Sequence, residues 1–188
     1  MILEVNNYKI NVHENPTNIY GLKFEPQMDE KYDNNADIAY FHRAGFIEIS
    51  DKNYQLMESI SKKHSTQGIM EIGVDTNGER SFSRILLNNK PDNIPYLGID
   101  LNDKSYLNNS DKKIFTIKEN SYNQNNIREY AKQIGLEKIS LLFIDGWLSV
   151  NQIINDWKYT DMLTKDGVVV FHDTNFHPGP VRSEEHTS

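Results

Sequence analysis

A chain of 188 residues with 37% hydrophobic and 11% aromatic side chains has enough apolar material for one core of ordinary size and too little length for two. The absence of cysteine excludes disulfides and thiolate metal sites, which leaves carboxylates, histidines and carbonyls as metal donors. A net charge of -7 argues against a surface that tracks a phosphate backbone, and no stretch approaches the roughly 18 apolar residues of a membrane span, so neither nucleic acid nor membrane is an expected partner.

Residues 1–67 are polar and weakly periodic and read as a cover or oligomer arm, with a homo-oligomer as the expected assembly. Their start, MILEVNNYKINVHEN, lacks the basic-then-apolar order of a secretory signal, which points to the cytoplasm. One helix is expected there: Ser50 can cap DKNYQLMESISKK, in which Tyr54, Met57 and Ile60 recur every third residue and Leu56 and Ile60 stand four apart. His13, His42 and His64 have no evident partner and read as surface residues.

Residues 68–181 change pattern to short apolar runs separated by helical ones, the signature of repeated strand–helix–strand units. GIMEIG is the first strand; SFSRILL then sets Phe82, Ile85 and Leu86 on one helical face. YLGID and KIFTIK are the second and third strands, and NNIREYAKQIG aligns Ile127, Tyr130, Ala131 and Ile134 before Gly135 ends the helix. ISLLFID, the most apolar run, is expected at the centre of the sheet; SVNQIINDW aligns Val150, Ile153, Ile154 and Trp157; KDG turns into the fifth strand, VVVFHD. Runs apolar on both faces belong to parallel strands covered by helices on each side, so the expected class is α/β with a doubly wound, mostly parallel sheet.

Ligands of such sheets bind beyond the carboxyl ends of the strands. Those ends carry Glu71 and Gly73, then Asp100, then Glu119 to Ser121, then Asp145 and Gly146, then His172 and Asp173. In MEIGVDTNGERS, Gly73 and Gly78 permit a tight turn and close backbone approach, and Ser81 can accept amide protons at the next helix start. The loop lacks the Lys-Ser/Thr of a P-loop and the Gly-x-Gly-x-x-Gly of dinucleotide folds. Beside it, the Glu71 carboxylate would repel a pyrophosphate and suit an ammonium or sulfonium, which points from NAD towards S-adenosylmethionine. Asp100, 27 residues after Gly73, can accept both hydroxyl protons of a ribose or, alternatively, cap a helix.

Read together, MEIGVDTNGERS, YLGID, LLFIDGWLSVNQIINDW and DGVVVFHDT resemble the class I S-adenosylmethionine-dependent methyltransferases, in the branch of bacterial small-molecule O-methyltransferases that includes macrolide-sugar and cephalosporin-cluster enzymes. The resemblance covers residues 69–174 and implies a Rossmann-like fold that transfers methyl to a hydroxyl of a small metabolite or saccharide. It implies that Glu71, Gly73 and Gly78 surround the methionine part of the cofactor, that Asp100 holds the ribose and that Ser121 lies near the adenine, with Ser81, at the next helix start, also expected at the cofactor. It also implies a divalent metal, suited to Mg²⁺, on Asp145 and Asp173, with Asp145 as a helix cap being the other reading. Relatives carry a histidine where this sequence has Leu148, which makes His172 the candidate base, beside Asp145; His177 is a weaker one. Trp147 reads as packing or as a cation-π wall for the cofactor, and Trp157 as core. A nicotinamide-type oxidoreductase and a non-catalytic binding protein are the alternative functions on the same architecture. The last seven residues, RSEEHTS, match a translated sequencing adapter, so residues 182–188 are expected to be non-native and the closing strands of the sheet to be missing.

Overall fold

Residues 2–5, 8–11, 51–76, 81–146 and 150–172 are described by this computed structural model. By its internal contacts the chain divides into two compact units. One comprises Met1–Arg43, Leu148–Ile154 and Asp173–Ser188; the other comprises Ala44–Trp147 and Asn155–His172. In the first, β1 (Ile2–Val5) and β2 (Tyr8–Asn11) form an antiparallel pair, with Ile2 opposite Asn11 and Val5 opposite Tyr8.

The second unit holds the sheet. Helix α1 (Asp51–His64) leads into β3 (Ile69–Ile72), then α2 (Phe82–Asn89), β4 (Tyr96–Asp100), β5 (Ile114–Lys118), α3 (Gln124–Gln133) and β6 (Ile139–Ile144). Next in the chain is α4 (Val150–Asp156), whose Val150–Ile154 part belongs to the first unit; the second unit then continues with a 3₁₀ turn over Trp157–Met162 and β7 (Leu163–Phe171). The strand order is β5-β4-β3-β6-β7 and every neighbouring pair is parallel. The chain builds outward from β3 through β4 to β5, then returns to the other side of β3 to lay down β6 and β7. The reversal falls between β3 and β6, the place where open sheets of this kind bind their ligands.

The apolar runs became strands for the expected reason. Ile69, Met70 and Ile72 in β3 are buried, as are Leu141, Leu142, Phe143 and Ile144 in β6. The central strand is β3, however, and β6 lies beside it. Both are interior; β3 looks less apolar only because it carries Glu71. On the helices, Met57, Ile85 and Leu86 join the core under Tyr96, Leu141 and Phe143, with Tyr54, Ile60 and Phe82 packed against it. Leu56 is exposed. In α3, Ile127 and Ala131 are buried, and Gly135 follows the helix in the left-handed region at φ 77°. The helical face read through Trp157 stops short: Ile154 is exposed, and Trp157 opens the 3₁₀ turn with its ring stacked on Phe171 at 5.9 Å. The KDG segment is taken up by β7, whose register against β6 shifts between Ile139 and Leu141.

One polar side chain fixes the entrance to β3. Ser140 is buried in β6, and its Oγ accepts the amides of Thr66 and Gln67, each at 3.1 Å, while donating to the Gly68 carbonyl at 3.2 Å. Ser140→Ala would orphan buried backbone groups and is expected to lower stability by about 1 to 3 kcal/mol, measured by urea denaturation.

Candidate functional site

Gly73 begins the site. It ends β3 at φ 83°, and a Cβ there would sit 2.3 Å from the carbonyl oxygen of Asp145. The backbones leaving β3 and β6 therefore touch at the switch point, a closeness only glycine permits. The Gly73 amide donates to Ile99 at 2.8 Å and the Asp145 amide to Ile72 at 2.8 Å, so the turn is fixed from both sides.

Asp100, the last residue of β4, faces this turn. Its Oδ2 accepts the Val74 amide at 2.8 Å, its Oδ1 accepts the Asn102 amide at 2.7 Å, and Lys104 Nζ lies 3.9 Å from Oδ2. Each oxygen retains a second lone-pair direction for a ligand hydroxyl. The loop after Val74 is held further out: Thr76 shares a 2.5 Å hydrogen bond with the Tyr106 hydroxyl, and its carbonyl accepts from Arg84 Nε at 3.1 Å. Ser81 is the N-cap of α2, its Oγ accepting the Arg84 amide. Ser121 is buried beyond β5, with its carbonyl bonded to the Tyr159 hydroxyl at 2.8 Å. Glu119 accepts from the Asn120 amide at 2.9 Å and from the side chain of Asn126 at 2.7 Å, a local role at the approach to α3.

On the other side of the switch point, Asp145 and His172 follow adjacent strands and meet. His172 Nδ1 lies 2.9 Å from Asp145 Oδ1, with both side chains partly exposed. The imidazole is set edge-on to Phe82, the first residue of α2, at 5.0 Å between centroids, and to Phe143 at 6.4 Å. The two rings set the plane of the imidazole, and the Asp145 carboxylate lies close to its Nδ1. His64, by contrast, is in α1, far along the chain from this cluster, its pKa lowered by burial and by Lys63.

Glu71, expected beside the glycine loop, stands two residues before Gly73. It is fully buried in the middle of the sheet. Ser83 Oγ donates to its Oε1 at 2.5 Å, and the Tyr96 hydroxyl donates to its Oε2. Gly98, two residues after Tyr96 and opposite Glu71 in the register, leaves the room: a Cβ there would meet the Tyr96 hydroxyl at 3.0 Å and Val74 at 2.8 Å. Burial pushes the Glu71 carboxyl up to about 8, against the pull of the two hydroxyls and with Asp145 and Asp75 adding repulsion. Near neutral pH it is therefore mostly protonated, and one of the two hydroxyls, each able to donate or accept, then takes the carboxyl's own proton while the other donates to it. Ser83 and Tyr96 went unnoticed in the sequence; the available signal was Tyr-x-Gly in a strand whose neighbour carries an interior acid.

The turn at Gly73, Asp100, Asp145 and His172 are thus gathered at one edge of the sheet. Gly78, Trp147, Leu148, Asp173 and His177 lie outside the described residues. Comparison with solved structures bears on this arrangement. A structure of MycE, a methyltransferase from the mycinamycin biosynthetic pathway, in complex with Mg, SAH and mycinamycin VI, matches with a TM-score of 0.53 at 16% identity, covering 69% of this chain and 36% of that one. A second MycE structure, with Mg and SAH, matches with a TM-score of 0.52 at 17% identity, covering 70% of this chain and 33% of that one.

The fold is Rossmann-like α/β, as in those MycE structures.

This chain spans about a third of the length of those MycE structures. No protein-family model matches the sequence, and neither does any curated protein. Among the described residues no three acid or histidine side chains gather into a metal cluster; Asp173, the expected partner of Asp145, lies outside them. Also among the described residues, no helix is long and apolar enough to cross a membrane.

Proposed function

We propose that this chain is the cofactor-binding part of an S-adenosylmethionine-dependent methyltransferase that acts on a hydroxyl of a small metabolite or saccharide. The observation that carries the reading is Asp100 bonded to the Val74 amide at the switch point of a fold whose solved examples hold SAH. Asp100 would accept the ribose hydroxyls, Gly73, Gly78 and Ser81 would shape the loop around the methionine part, with Glu71 beneath it, and Ser121 would border the adenine. S-adenosylmethionine supplies the methyl group when bound. In this reading His172, oriented by Asp145, takes the proton of the acceptor hydroxyl through Nε2, and the surrounding turn holds the nucleophile in line. The Mg in the MycE structures motivates testing the reaction with and without Mg²⁺, with Asp173 as the partner for Asp145.

Two measurements test this. Thermal-shift titration should show stabilisation by S-adenosylhomocysteine and none by NAD; stabilisation by NAD alone would reject the reading in favour of an oxidoreductase. Asp100→Asn removes a charged acceptor and is expected to weaken S-adenosylhomocysteine binding by about 10- to 100-fold in calorimetry.

His172→Ala should lower kcat by about 10²- to 10⁴-fold towards a hydroxylated acceptor, leaving cofactor affinity near that of the wild type. A full-length protein that binds cofactor yet methylates nothing in a broad hydroxyl panel would point instead to a non-catalytic binding protein.

A further inference from the structure

We propose that Glu71 acts on the cofactor loop from beneath, as an uncharged hydrogen-bonding anchor that ties β3 to α2 and β4, and does not serve as a charge partner for the cofactor. The inference rests on the methyltransferase reading above and reassigns the residue that the sequence marked as its electrostatic signal.

Geometry carries it. Glu71 is 0% exposed, and each carboxyl oxygen already has a hydroxyl partner from a different element, Ser83 in α2 and Tyr96 in β4. Ser83 stands two residues beyond Ser81, which caps α2 and closes the loop that Gly73 opens. The loop is thus held at its start by the Gly73 amide on Ile99, in its middle by Arg84 on the Thr76 carbonyl, and at its end by Ser83 on Glu71. Removing Glu71 would free the first turn of α2 from the strand beneath it and leave two buried hydroxyls, those of Ser83 and Tyr96, without their acceptor.

Charge points the same way. The two charged groups that act on Glu71 are Asp145, from the end of β6, and Asp75, from the loop, and both are acids. Its neighbour from β4, Tyr96, is fully buried with its own pKa pushed far up by burial and by Glu71, so it remains a hydroxyl. Ser83, from α2, is neutral. An ionised Glu71 would be a buried carboxylate repelled by the partly exposed Asp145 and the exposed Asp75, and a buried uncompensated carboxylate is costly.

The rival view is that a cationic cofactor draws the proton off Glu71 and pairs with the resulting anion. Calorimetry separates the two, because ionisation on binding releases a proton that the buffer takes up. The full 188-residue chain would be titrated with S-adenosylmethionine and with S-adenosylhomocysteine at pH 7 in two buffers of different ionisation enthalpy, as wild type, Glu71→Gln and Glu71→Ala. The anchor role predicts near-zero proton release in the wild type, an affinity for Glu71→Gln within about 3-fold of wild type, and a loss of about 10-fold or more for Glu71→Ala. Release approaching one proton per site in the wild type and absent in Glu71→Gln, or a Glu71→Gln as weak as Glu71→Ala, would overturn it.

Hydrogen exchange of the amides at residues 73–76 reads the anchor without any ligand: exchange should quicken in Glu71→Ala and return to the wild-type rate in Glu71→Gln. Should Glu71→Ala fail to fold, Ser83→Ala and Tyr96→Phe each remove a single bond and should quicken the same amides. Unchanged exchange in all of these variants sinks the anchor role. A wild type that binds neither nucleoside sinks the methyltransferase reading, while the exchange result still decides the role of Glu71.

Discussion

Alanine at position 73 is expected to remove about 3 kcal/mol or more of stability, the sum of a left-handed backbone for a residue with a Cβ and an overpacked contact. The Cβ would lie 2.3 Å from the Asp145 carbonyl oxygen, 2.5 Å from its carbon and 2.6 Å from the Gly146 Cα. All three atoms are backbone, and they belong to the exit of an interior strand, so none can swing aside as a side-chain tip would. Relief requires β3 and β6 to part at their carboxyl ends, at the switch point. For a chain of this length the melting temperature should fall by about 6 to 12 °C, and S-adenosylhomocysteine binding should be lost with it.

Gly135 supplies the control. It has nearly the same φ, 77°, but a Cβ there would meet nothing within 4 Å. Gly135→Ala therefore carries the backbone cost alone, about 1 to 2 kcal/mol. Thermal denaturation of both variants by circular dichroism separates the two contributions. Equal losses at the two positions would show that the strand exits are not in the tight contact described.

This contrast also shows what a sequence can and cannot display. Both glycines were legible as turn residues, because a glycine after a strand or a helix is a local signal. That Gly73 presses on Asp145, 72 residues later, follows from strand order, which no local pattern encodes. The five strands were legible for the same local reason, since runs such as LLFI and VVVF leave no polar face. The centre of the sheet was not, because interior position is shared by β3 and β6 and the acid in β3 made it look the more exposed of the two.

Site residues divide in the same way. Asp100, Asp145 and His172 stood out as polar residues at strand exits, and that position is local. Their partners are not: the Val74 amide for Asp100 and the pairing of Asp145 with His172 depend on which strands are neighbours. Glu71 is the instructive case. Two residues before the glycine it reads as a charge beside a ligand loop, yet the period-2 alternation of a strand sends its side chain into the layer under α2, where Tyr96 reaches it across Gly98. A carboxyl in that layer answers to desolvation before it answers to any ligand.

The same burial makes stability depend on pH. In the unfolded chain Glu71 titrates near its ordinary 4.5; in the folded protein burial raises this to about 8. Between those values the native state holds a proton that the unfolded state has released, so unfolding stability falls as pH rises. The contribution is complete below about 4.5, declines at up to about 1.4 kcal/mol per pH unit, and is gone above about 8, a ceiling of about 4 to 5 kcal/mol. His64 acts in the opposite sense. Its pKa is lowered by burial and by Lys63, so its part of the stability is lost as pH falls through the region below 6.5. A wild-type stability curve mixes the two, and the difference between wild type and Glu71→Gln isolates Glu71, since glutamine keeps the shape and cannot titrate. Urea denaturation at pH 5, 6.5 and 8 should show the wild type losing ground steadily to Glu71→Gln as pH rises. Curves that stay parallel across that range would mean that Glu71 is ionised in the folded protein, with the Ser83 and Tyr96 hydroxyls both donating to a buried carboxylate against the repulsion of Asp145 and Asp75.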